Sequence, residues 1–172
     1  KAQTCDTTEE DYLRIIYSKT ASLFEASCVS AALSVGASSE AVEAMRTYAV
    51  ALGRAFQIKD DIFDYSGTES VGKPLGVDIL EQKMTMPLLG AYANVSSDEE
   101  TRVRGMVKDI VGHPEFRDEI VAFVKDNKGL EAAEERLDRY VVEAVAALDV
   151  LPESCERDLL VKLARYTALR EK

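Results

Sequence analysis

The sequence predicts an all-α protein, on three observations. Apolar residues recur at three-to-four spacing almost throughout, no alternating stretch rich in Val, Ile and Thr reads as a strand, and Gly, Pro, Asn and Ser clusters punctuate the periodic runs. The chain has 172 residues, 47% of them hydrophobic and 30% charged, which suffices for the core of one globular domain spanning 1–172 and excludes two full ones. Thr7-Thr8-Glu9-Glu10-Asp11 has the form of a helix cap with an acidic first turn, and Tyr12, Ile15, Ile16, Leu23 and Phe24 follow on one face. A first helix is therefore expected from about residue 8 to about 34. Gly36-Ala37-Ser38-Ser39 interrupts it, and Ser39 with Glu40 opens a second long helix reaching about Tyr65. That helix carries two apolar rows, the pattern of a central element. Gly67, Gly72, Pro74 and Gly76 mark residues 66–83 as a long loop, a length often tied to function. Further helices are expected at about 84–95, 97–111, 115–126, 129–149 and 153–170.

Charge narrows the function classes. Twenty-one basic and 31 acidic side chains give a net charge of −10, with the basic residues scattered, so nucleic acid and anionic membrane are poor partners. No run approaches the roughly 18 to 20 apolar residues of a membrane span, Cys28 to Ala37 being interrupted by Ser and Gly. Cys5, Cys28 and Cys155 are far apart and form no C-x-x-C pair, which predicts free thiols in a reduced, cytoplasmic setting. The single histidine, His113, sits in a Gly-His-Pro turn and is read as structural.

The most informative run is Gln57-Ile58-Lys59-Asp60-Asp61-Ile62-Phe63-Asp64. At 100° per residue, Gln57, Asp60, Asp61 and Asp64 fall within an arc of about 100° on one helix face. Three carboxylates near a helix C-terminus repel one another and oppose the dipole, so something must compensate. One reading is a solvated acidic face. The other follows from Phe56, Ile58, Ile62 and Phe63, which embed the helix and leave the acids lining a cleft. Such carboxylates suit a hard divalent cation, and all-oxygen ligation suits Mg²⁺ bridging to substrate phosphates. Lys73 in Gly72-Lys73-Pro74-Leu75-Gly76 and Lys83 beyond Asp78 supply cations downstream, while Lys19-Thr20 lies upstream among small and apolar residues. Each has a plainer reading, a lysine snorkelling to solvent or a surface turn. The Gly-Lys pair is no P-loop, lacking the glycine spacing and the following Ser or Thr. Taken together, three lysines, a threonine and three aspartates point to a metal-bound diphosphate with apolar walls that accept a hydrocarbon.

Tyr17-Ser18-Lys19-Thr20-Ala21-Ser22-Leu23-Phe24, then Gly53 to Tyr65, then Gly72 to Asp78, then Lys83-Met84-Thr85-Met86-Pro87-Leu88 together resemble, in order and spacing, the C-terminal half of the trans-isoprenyl diphosphate synthases. The resemblance implies an isoprenoid-synthase helical bundle and a head-to-tail condensation of an allylic prenyl diphosphate with isopentenyl diphosphate. It implies that Asp60, Asp61 and Asp64 bind Mg²⁺, that Lys19, Thr20, Gln57, Lys73 and Lys83 act on the allylic diphosphate, that Phe56 borders the second substrate, and that Asp78 orients a neighbour. No nucleophilic side chain is required. The family is usually dimeric, which implies a homodimer.

The departures are as informative. The chain has no second Asp-Asp-x-x-Asp and no Gly-Lys-Arg, so it holds half of the site the resemblance implies. Together with a first residue, Lys1, that is not Met, this predicts the C-terminal part of a longer synthase, inactive alone. Gln82 stands where the family commonly has glycine, and Arg170-Glu171-Lys172 is similar to a basic tail found near the second diphosphate. The alternatives are a non-catalytic helical subunit of a heteromeric synthase, a terpene cyclase, whose second metal motif mixes Asn, Ser or Thr with Glu, and an unrelated helical Mg²⁺ or phosphate module.

Overall fold

The computed structural model describes residues 6–66 and 75–170, and among these every regular element is a helix. The first, α1 (Glu9–Ile16), starts in a reciprocal box. Asp11 N–H donates to Thr8 Oγ1 at 3.1 Å, and the Asp11 carboxylate accepts from the Thr8 hydroxyl at 3.0 Å. The expected single helix over 8–34 is instead three segments of one continuous run, because α1 passes into a π-helical turn, Tyr17–Ala21, before α2 (Ser22–Ser34). Apolar periodicity does not reveal that turn, since five residues are too short a window to define a period.

Next comes α3 (Ser39–Ser66), a 28-residue helix. Its cap is Ser38, whose Oγ accepts from Ala41 N–H at 3.2 Å. Within the expected loop lies a short helix, α4 (Val77–Leu80). Its first amides are capped by Asp64, from thirteen and fourteen residues earlier, so no local signal announced it. The chain continues through α5 (Met86–Tyr92), α6 (Ser97–Asp109), α7 (Phe116–Asp126), α8 (Gly129–Ala147), a 3₁₀ turn at Leu148–Val150, and α9 (Cys155–Leu169). Pro87 in the first turn of α5 pre-sets its backbone, and Ser96 and Ser154 cap α6 and α9 by accepting from Glu99 and Arg157 N–H. No described helix is long and apolar enough to cross a membrane.

The described residues form two compact units, one of 6–12, 60–66 and 75–135, the other of 13–59 and 136–170. In the first, Tyr65, Ile79, Met84, Leu88, Tyr92, Val103, Met106, Val107, Ile110, Ile120, Phe123 and Val124 make one core of mostly large side chains. In the second, eight of the buried positions are alanine, namely Ala21, Ala32, Ala44, Ala49, Ala51, Ala55, Ala144 and Ala164, beside Tyr48, Leu52, Ile58, Leu137, Tyr140 and Leu148. Small residues let helix backbones approach closely, and Gly53 shows how closely: a Cβ there would stand 2.6 Å from Ala21 Cα and 2.8 Å from its Cβ.

Candidate functional site

The Gly53–Ala21 approach sets the π turn, with Lys19 and Thr20 in it, directly on α3. Tyr17, the first residue of the turn, donates its hydroxyl to Glu25 Oε2 at 2.7 Å, and Glu25 is in turn paired with Arg46 on α3. Hydrogen bonding to Glu25 raises the Tyr17 pKa, so the phenol stays a donor. Held this way, Lys19 is exposed and Thr20 half-buried. The Thr20 hydroxyl donates to Gln57 Oε1 at 2.9 Å, and Gln57 itself is buried. Thr20 and Gln57, 37 residues apart in sequence, are therefore one hydrogen-bonded pair.

One residue earlier, the Phe56 ring has its centroid 5.8 Å from that of Phe24 and 4.0 Å from the Arg170 guanidinium. Arg170 Nη2 also donates to the Phe56 carbonyl at 2.9 Å, which fastens the end of α9 onto α3. The rest of that basic tail, Glu171 and Lys172, lies outside the described residues, as do Gly72, Lys73 and Pro74.

The aspartates belong to the other unit, in the last turns of α3. Asp61 is 4% exposed and accepts from the hydroxyl of Tyr12, on α1, at 2.6 Å. Asp64 is half-buried and caps α4: Oδ1 accepts from Val77 N–H at 3.1 Å and Oδ2 from Asp78 N–H at 3.0 Å. Its backbone carbonyl accepts from Gly76 N–H at 2.8 Å, and Gly76 makes the turn with φ of +72°. Asp60 is half-buried. Asp78 binds Lys83 Nζ at 2.9 Å, and Glu81 forms a second, close ion pair with the same ammonium. The hydrogen bonds that Lys83 donates to Glu81 and to Asp78 hold its pKa well above the usual lysine range, so it is a fixed cation at any physiological pH. Gln82, between them, takes φ of +56°, and its Nε2 donates to Lys108 C=O at 2.6 Å.

Sequence reasoning placed Tyr12 among the core positions and passed over Glu25 and Glu81, because their partners are set by tertiary contact rather than by spacing. His113 is exposed, bonded to Glu115 at 2.9 Å and stacked on Phe116.

Among the described residues, no three or more His, Cys, Asp or Glu side chains converge where a metal ion could sit. The donor chemistry nevertheless fits Mg²⁺. In phosphate-handling sites that ion takes one or two carboxylates and completes its shell with substrate oxygens and water, and Asp60 and Asp64 are both partly open to solvent. Their oxygens are hard, anionic donors in a helix-end setting that disfavours negative charge.

Residues 1–124 match the polyprenyl synthetase family model. The chain belongs to that family. An octaprenyl diphosphate synthase of Haemophilus influenzae is 38% identical over 160 residues, covering 92% of this chain and 48% of the relative. Among solved structures, a polyprenyl synthase from Roseobacter denitrificans superposes with a TM-score of 0.87 at 32% identity, over 99% of this chain and 56% of that one. A polyprenyl synthase from Caulobacter crescentus, complexed with calcium and isoprenyl diphosphate, gives 0.83 at 32% identity over 98% of this chain and 52% of that one. This polyprenyl synthetase family member thus spans about half the length of the relatives it matches, and the helices of its described residues superpose on part of the polyprenyl synthase fold.

Proposed function

We propose that the chain is the C-terminal part of a Mg²⁺-dependent trans-polyprenyl diphosphate synthase that joins an allylic prenyl diphosphate to isopentenyl diphosphate. The observation that carries this reading is the match of residues 1–124 to the polyprenyl synthetase family in a chain whose helix α3 ends in three aspartates on one face. In this reading Asp60, Asp61 and Asp64 hold Mg²⁺, which when bound neutralises charge developing on the departing diphosphate. Lys19, Lys73 and Lys83 add cationic donors for its oxygens, and preorganised charge of this kind stabilises an ionising C–O bond without reorganisation. The Thr20 hydroxyl and Gln57 amide orient the same group. Asp78 aims Lys83, and Phe56 walls the second substrate. Cytoplasmic residence and a homodimer belong to the same proposal, as does an N-terminal half that completes the site, which the relatives' greater length supports.

The test is Asp60→Ala in the full gene product containing residues 1–172, assayed for chain elongation from an allylic diphosphate and labelled isopentenyl diphosphate. Turnover is expected to fall by about a hundredfold or more with an unchanged melting temperature. A near-normal rate overturns the assignment.

A further inference from the structure

We propose that Tyr12 is a positioning residue for the aspartate motif, acting through Asp61. The inference rests on reading that motif as a cation and diphosphate site, and it assigns a role to a side chain outside the motif.

The physical argument starts with Asp61. It is 4% exposed, it shares a face with Asp60 and Asp64, and it lies near the C-terminal end of α3, where the helix dipole opposes negative charge. A carboxylate so placed has lost most of its water and needs donors in exchange. Tyr12 supplies one. Its ring is 3% exposed, and its hydroxyl lies 2.6 Å from Asp61 Oδ2, the length of an O–H···O⁻ bond strengthened by the charge on the acceptor.

The bond also has directional content. A carboxylate on a helix turns freely about its last torsion until one oxygen is pinned. With Oδ2 committed to Tyr12, the position of that phenol constrains the direction of Oδ1. That phenol is itself well anchored. The Thr8–Asp11 box fixes the start of α1 immediately before it, and Arg104 Nη1 on α6 donates to the Thr7 carbonyl at 3.4 Å. Supporting partners of this kind, on rigid elements, govern how well a ligand group meets its metal.

The experiment uses the full gene product and Mn²⁺ with inorganic pyrophosphate as probe, followed by the electron paramagnetic resonance of free Mn²⁺. Tyr12→Phe keeps the buried ring and deletes only the donor. It is expected to weaken Mn²⁺ binding by about 10- to 100-fold, while in an Asp61→Asn background the same change shifts binding by less than about twofold. An equal loss in both backgrounds makes Tyr12 a packing residue and overturns the proposal. So does unaltered binding in Tyr12→Phe, which leaves the site reading standing, and so does a Tyr12→Phe protein that fails to fold where Asp61→Asn folds. Absence of pyrophosphate-dependent Mn²⁺ binding in the unsubstituted protein overturns the site reading itself, and this inference with it.

Discussion

The two units hold their candidate groups by different physics. Around Lys19 and Thr20 the buried positions are rich in alanine, and the π turn is located by the direct approach of Ala21 to Gly53. Around Asp61 and Asp64 the core side chains are large, and the carboxylates are located by hydrogen bonds, from Tyr12 in one case and from Val77 and Asp78 N–H in the other. Close packing fixes position through repulsion, which rises steeply with any added atom. Hydrogen bonds fix direction and tolerate small displacements, but each becomes a liability when a partner is removed. Lys19 is thus placed by close packing, and Asp61 and Asp64 are placed by hydrogen-bond donors.

That contrast predicts a ranking of substitutions. The largest effect is expected at Gly53→Ala, because the new methyl would meet backbone at 2.6 Å and the backbone cannot step aside. A loss of stability of about 1–3 kcal/mol, read as a lowered denaturation midpoint, should accompany weaker binding of an allylic diphosphate analogue through the displaced π turn. If binding is lost without stability, packing is not what sets Lys19. An intermediate effect is expected at Asp64→Ala, which strips the acceptors from two half-buried amides at the start of α4. The cost should be about 1 kcal/mol, the usual loss on removing a helix cap, while Asp64→Asn, retaining one acceptor oxygen, should recover part of it in the same unfolding experiment. An Asp64→Ala midpoint equal to that of the unsubstituted protein would show that the cap contributes nothing.

The smallest effect is expected at Gln82→Gly. Glycine relieves a left-handed backbone, φ of +56°, worth about 1 kcal/mol, but deletes the bond from Nε2 to Lys108 C=O, worth about as much. The two terms should cancel to within about 1 kcal/mol, and a larger stabilisation would show that the Lys108 bond is idle in solution. The positive φ also gives the physical reason that glycine suits this position.

Much of the helical layout was legible because it rests on local physics. The Thr8–Asp11 box, the breaks before α3, α6, α8 and α9, and the common face of Gln57, Asp60, Asp61 and Asp64 all follow from spacing along one stretch of chain. The π turn at Tyr17–Ala21 and the short α4 were not legible, since the one depends on a glycine 32 positions downstream of Ala21 and the other on a carboxylate from the preceding helix. The aspartate motif was visible, but the division of its oxygens was not. The sequence by its local patterning set the helix class, because periodicity acts over a few turns, and its motifs, in their order and spacing, carried the family resemblance and the candidate site residues. Only the tertiary structure decided that Thr20 meets Gln57, that Tyr12 meets Asp61 and that Arg170 closes on Phe56. Such pairings span 37 to 114 residues, and are chosen by how whole helices pack rather than by anything either partner's neighbours encode.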